Sequence, residues 1–88
     1  MNPPPSPGEV EIALHQLLRK YQFTGVGHIS VVAVGPTATP AYLVNLDLAA
    51  AKLLGEVLAP VLGNRSQPSA TNWVLFPADA AAIVKLAR

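Results

Sequence analysis

Three segments of this chain read as β-strands, and none of them alternates cleanly between apolar and polar residues. In residues 28–34 (His-Ile-Ser-Val-Val-Ala-Val) one face offers Ile29, Val31 and Ala33, and the other offers Ser30, Val32 and Val34. In residues 41–46 the faces are Tyr42, Val44, Leu46 against Ala41, Leu43, Asn45. In residues 72–76, Trp73 and Leu75 oppose Val74 and Phe76. Strands with two apolar faces call for cover on both sides. The chain has only 88 residues, enough for one domain, and small domains bury a smaller share of their surface. Two outcomes follow. Either the helices divide across both faces of the sheet, or an apolar patch on the order of several hundred Å² stays open, which in soluble proteins marks an interface. The second is the expectation here, with a homodimer as the commonest form.

The helices are read from spacing and caps. Ser6 as cap, Pro7 at the first helical position and Glu9 three residues after Ser6 make a capping box. Val10, Ala13, Leu14, Leu17, Leu18 and Tyr21 then recur at helical intervals, giving an amphipathic helix of about four turns. Residues 1–8, with four prolines, read as an extended tail, leaving residues 9–88 as a single α+β domain. Residues 35–40 contain two prolines and join the first two strands as an antiparallel hairpin. Asp47 caps a second helix from Leu48, which Pro60 should end or kink. That helix is apolar nearly all round, the mark of burial on more than one side. Residues 63–71 form the one polar, flexible interior loop, and a last helix spans residues 80–88. The predicted fold is a small α+β sandwich with a three-stranded, mainly antiparallel sheet in the order helix, strand, strand, helix, strand, helix.

Composition narrows the function classes. Charged residues are 12% of the chain, against a usual figure of about 25%. Six Lys and Arg against five Asp and Glu leave a net charge of +1, which supplies no broad attraction to nucleic acid or acidic lipid. The absence of cysteine removes disulfides, thiolate metal sites and Cys nucleophiles. The N-terminal residues lack the basic and apolar regions of a secretory signal, and residues 46–62 are too interrupted to span a bilayer, so a cytoplasmic protein without membrane association is expected.

Chemistry-bearing residues are sparse. His15 lies on the polar face of the first helix; His28 follows Gly25-Val26-Gly27 at the start of a strand. That glycine pair precedes a strand rather than opening a helix, unlike phosphate-cradling loops. The carboxylates show no metal-ligand spacing, and Ser30, Ser66 and Ser69 lack a nucleophile turn. No catalytic residue, cofactor or metal is therefore assigned. Asn64, Arg65, Ser66 and Gln67 carry donors suited to a phosphate or carboxylate and are, with His28, the candidate polar ligand contacts. Arg19 and Lys20 beside Tyr21 and Phe23 form a small basic–aromatic cluster, but six cations without a stripe argue against dedicated nucleic-acid binding.

The segment from the first helix through Asp47 and on to Leu54 is loosely similar to a double-stranded-RNA-binding domain. That family's third strand before the final helix and the basic run at that helix's start are absent, so RNA binding is not implied. The closing strand into residues 77–84 looks like the last unit of many ferredoxin-like domains, which implies no activity. The expected function is a non-enzymatic protein–protein interaction module, such as an oligomeric subunit, adaptor or small inhibitor. It would bury an apolar helix and sheet surface formed by Leu54, Leu58, Val61 and Trp73, with a second copy as partner. The alternative is a small-ligand-binding or enzymatic domain using His28 and residues 64–67.

Overall fold

The computed structural model describes residues 3–88. It contains α1 (Pro7–Lys20), β1 (Ile29–Val34), β2 (Ala41–Leu46), α2 (Leu48–Leu62), a single 3₁₀ turn (Gly63–Arg65), β3 (Asn72–Leu75) and α3 (Pro77–Ala87). The element order and the small α+β class are those predicted. The strands lie in the order β1-β2-β3, antiparallel throughout. The chain leaves the central strand, runs through α2, and returns along the same strand's other side as β3.

Local chemistry accounts for most boundaries. The Ser6 hydroxyl accepts from the Glu9 amide at 3.1 Å, and the Ser6 amide donates to Glu9 Oε1 at 3.3 Å, completing the capping box. α1 therefore begins at Pro7, two residues inside the stretch expected to be a tail. The residues before it lie along the body of the protein. The Tyr42 hydroxyl donates to the Pro5 carbonyl at 2.5 Å, and burial, together with the charge of Glu9, pushes the Tyr42 pKa up, keeping that donor protonated. Met1 and Asn2, also assigned to the tail, lie outside the described residues.

All three helices pack on one face of the sheet. Ile29, Val31, Tyr42, Val44, Leu46, Trp73 and Leu75 point into a single core with Val10, Leu14 and Leu17 of α1, Leu54, Leu58 and Leu62 of α2, and Ala80 and Ile83 of α3. Among the described residues, no helix packs over the opposite face, where Val32, Val34, Leu43 and Val74 are exposed. Contrary to its all-round apolar appearance, α2 buries one stripe, Ala50, Ala51, Leu54, Gly55, Leu58 and Leu62. Its exposed residues are Leu48, Ala49, Lys52, Glu56, Ala59, Pro60 and Val61, of which Leu48 and Val61 are the large apolar ones.

Two further expectations are corrected. Pro60 does not end α2, which continues to Leu62. Proline lacks the amide that would bond the Glu56 carbonyl, and because Glu56 and Pro60 are both exposed, water can take that acceptor. The helix stops instead at Gly63, whose φ of 58° is the left-handed region that glycine tolerates. The following loop is also not free. The Ser66 hydroxyl donates to the Gly55 carbonyl at 2.5 Å, the Trp73 indole donates to the Gln67 and Ala70 carbonyls, and Pro68 lies against Gly55 so closely that a Cβ there would sit 2.7 Å from Pro68 Cα. Gly55→Ala is expected to cost about 1–3 kcal/mol by forcing the loop off the helix, measurable by urea unfolding.

Asp47 ties the second helix to the first strand. Its Oδ1 accepts from the Ala50 amide at 2.7 Å and its Oδ2 from the His28 amide at 3.0 Å. These bonds, Ala50's first, hold its carboxyl below the usual range. A carboxylate with a lowered folded-state pKa contributes fully above its unfolded value of about 3.9 and loses that contribution as pH falls through the folded value. Asp47→Ala is expected to cost about 1–2 kcal/mol. The gap from the parent in thermal melts should stay constant near neutrality and close only in acid below about pH 4.

Candidate functional site

The uncovered face of the sheet is the main unpartnered surface. Strand alternation sends Val32 and Val34 of β1, Leu43 of β2 and Val74 of β3 to this side, and Phe76, one residue beyond β3, is exposed beside them. These five side chains are 39–52% exposed. Register brings three of them into one line: Val32 pairs with Leu43, and Leu43 with Val74. A parallel line of Ser30, Asn45 and Asn72 forms a polar border, Ser30 opposite Asn45 and Asn45 opposite Asn72. No strand residue is charged. The surface is thus a neutral patch of three valines, a leucine and a phenylalanine with an amide and hydroxyl rim.

The two edges of the sheet are finished differently. The Asp47 amide donates to the His28 carbonyl at 3.1 Å, which fixes the phase of the β1–β2 ladder and turns the backbone groups of Ile29, Val31 and Ala33 outward. At the middle of that edge, Glu11 Oε1 accepts from the Val31 amide at 3.2 Å. On the other side, the Leu46 amide donates to the Thr71 carbonyl at 2.9 Å. Trp73 and Leu75 therefore bond to β2, while Asn72 and Val74 direct their amides and carbonyls away from the sheet. The next outward amide, that of Phe76, donates to Asp79 Oδ2 at 2.9 Å.

The residues singled out from sequence fall into separate places. Leu54 and Leu58 are fully enclosed and Trp73 nearly so, within the chain's own core. Assigning them to an intermolecular surface is corrected, because the stripe of α2 that carries the leucines turns into the common core against α1 and α3, and Trp73 is on the sheet's covered side. Val61 alone of that set remains exposed. Among the polar candidates, Ser66 is buried and committed to Gly55. Arg65 makes a two-pronged ion pair with Asp79, Nε to Oδ2 at 2.7 Å and Nη2 to Oδ1 at 2.6 Å. That carboxylate holds the guanidinium pKa above its ordinary value. The pair joins the 3₁₀ turn to the first turn of α3, where Asp79 also caps.

Asn64, Arg65 and Gln67 do share a groove, which they line with Asn72, Trp73, Val74 and Phe76 along the free edge of β3. His28 is not among its lining residues; its imidazole is exposed at the opposite edge strand's start. His15, Arg19 and Phe23 line a different hollow, with Ile12 and the loop residues Gly25, Val26 and Gly27. Lys85 and Arg88 line a third, beside Pro3 and Pro5. Arg19, Arg65, Lys85 and Arg88 are thus spread over three grooves. Among the described residues no group of three or more His, Cys, Asp or Glu is placed to hold a metal ion, and no helix is long and apolar enough to cross a membrane.

What sequence reasoning missed is which face would be free. Val32, Leu43, Val74 and Phe76 were visible as the second face of each strand, but the all-round apolarity of α2 drew attention to the helix instead. Comparison with known proteins adds no relative to this geometry: no protein-family model matches the chain, and no curated protein or solved structure shows significant similarity to it.

The division into covered and open residues is testable by truncation. Leu58→Ala should destabilise by about 2–5 kcal/mol, whereas Leu43→Ala, on the open face and in contact there only with its cross-strand neighbours, should cost about 1 kcal/mol. Chemical denaturation of both variants reads the difference.

Proposed function

We propose that this protein is a non-enzymatic interaction module whose contact surface is the open face of the sheet and whose partner is a second copy of itself. The observation that carries the reading is the line of Val32, Leu43 and Val74, flanked by Val34 and Phe76, on a face that no helix covers. A patch without charge is complementary to itself, and a two-fold axis through it places the same residues on both sides. The chain's net charge of +1 sets up little repulsion between copies.

Size decides the strength expected. The five partly exposed side chains leave roughly 400 Å² of apolar surface on this face, comparable to the largest patches of ordinary monomers. Pairing two such faces with their polar borders would bury about 1,000–1,200 Å² in total, the low end of specific interfaces. The association proposed is therefore reversible, with a Kd on the order of micromolar or weaker. A sheet-to-sheet contact of this kind leaves the helices outermost and buries the face that most invites aggregation.

Sedimentation of the purified protein, from dilute solution up to about 1 mM, tests this. The parent should pass from monomer to dimer across that range. Leu43→Lys should remain monomeric at every concentration while melting within a few degrees of the parent, because position 43 is outside the core. A parent that stays monomeric throughout, or a Leu43→Lys protein that dimerises like the parent, would overturn the proposal.

A further inference from the structure

We infer that the free edge of β3 is a strand-accepting site for an extended peptide whose side chains alternate between apolar and hydrogen-bond-accepting. The ladder phase leaves the amides and carbonyls of Asn72 and Val74 pointing away from β2. On the sheet's other edge the Glu11 carboxylate takes the central amide, that of Val31, whereas on this edge the Asp79 carboxylate takes the amide just beyond the strand, that of Phe76, and leaves the two within it open. An edge that keeps its backbone groups unpaired is a template for another strand.

The groove alongside supplies the rest of the site. One wall is the β3 edge; the other is Asn64, Arg65 and Gln67. This second wall is tied to the body of the protein through Arg65 on Asp79 and the Trp73 indole on the Gln67 carbonyl. A strand bonded to Asn72 and Val74 would turn alternate side chains to the two sides of the extended sheet. On the open side they would meet Val74 and Phe76, which favours apolar residues. On the helix side they would meet Arg65, the one charged residue that lines the groove among the described residues. Asp79 uses its Nε and Nη2, and a guanidinium carries five N–H donors, so donors remain for a carboxylate or amide oxygen.

A single extended segment fits this groove better than a second copy's β3, because that strand would carry its own Asn64–Gln67 wall into the same space. The mode is strand addition: main-chain bonds supply affinity, and alternate side chains supply selectivity.

The probe is a capped peptide of about seven residues alternating Val and Glu, added to a Val32→Lys protein, whose new charge interrupts the open-face line on β1, the strand farthest from the site, so that pairing through that face does not interfere. Amide hydrogen exchange by NMR is the readout. Without peptide, the Asn72 and Val74 amides should exchange quickly, and those of Trp73 and Leu75 slowly. Peptide should slow the Val74 amide by tenfold or more. Val74→Pro removes that outward donor while leaving the β2–β3 bonds in place, and should weaken binding at least tenfold. A peptide N-methylated at alternate residues should fail against the unaltered edge, a control that does not depend on how Val74→Pro folds. Three results would overturn the inference: a Val74 amide whose exchange peptide leaves unchanged, equal binding of the N-methylated peptide, or protection that rises with protein concentration in the absence of peptide, which would assign the edge to a second copy. Loss of self-association in the parent would leave this experiment unaffected.

Discussion

Registered antiparallel pairing about β2 divides the apolar surface of this protein into an enclosed half and an open half. Because side chains alternate strictly along a strand, every residue in line with Tyr42, Val44 and Leu46 goes to the helices, and every residue in line with Leu43 goes the other way. A slip of one residue in either ladder would send the core residues of that strand to solvent. Tyr42, Val44, Trp73 and Leu75 are almost completely buried, so such a slip would expose large side chains and is strongly disfavoured. The open face is a direct consequence of the arrangement that builds the core.

Three helices suffice for one face only. α1 and α3 pack against each other, α2 joins both, and together they close over Ile29, Val31, Val44 and Leu75. The small residues of α2 make this closure possible. Ala50 and Ala51 bring the helix near its neighbours, and Gly55 admits Pro68, which lets the loop after the 3₁₀ turn lie against the helix. That loop in turn positions Asn64, Arg65 and Gln67 beside β3. A packing detail of the core thus shapes the groove at the sheet's edge.

The polar groups of the protein are largely used as fasteners. Asp47 joins α2 to the start of β1, Asp79 joins α3 to the 3₁₀ turn through Arg65, Glu11 joins α1 to β1, and Ser66 joins the loop to α2. Among the described residues, no buried side-chain nitrogen or oxygen lacks a partner, as expected for a settled interior. Of the residues that look like ligand donors when read along the chain, Ser66 is committed to Gly55, 11 positions away, and Arg65 gives its Nε and Nη2 donors to Asp79, 14 positions away. The exposed and uncommitted chemistry lies in the backbone of an edge strand and in a neutral apolar face.

The amino-acid sequence by itself determined the elements. Ser6, Pro7 and Glu9 start α1, Asp47 starts α2, and β-branched runs bounded by Gly and Pro mark the strands, because caps and backbone preferences act over three or four residues. It also contained the surplus of apolar strand residues that made an open face the expectation. It misplaces that surface at Leu54, Leu58 and Trp73, which are buried, and it does not foresee the partners that Ser66 and Arg65 find in Gly55 and Asp79. Both depended on contacts between residues distant in the chain: which stripe of α2 meets the sheet, which loop atom meets Gly55, which carboxylate meets Arg65. Short-range preferences carry no information about such meetings. Only the tertiary structure placed all three helices on one side and left the Val32–Leu43–Val74 line and the β3 edge uncovered, because that outcome depends on how much volume three helices can fill once they pack together.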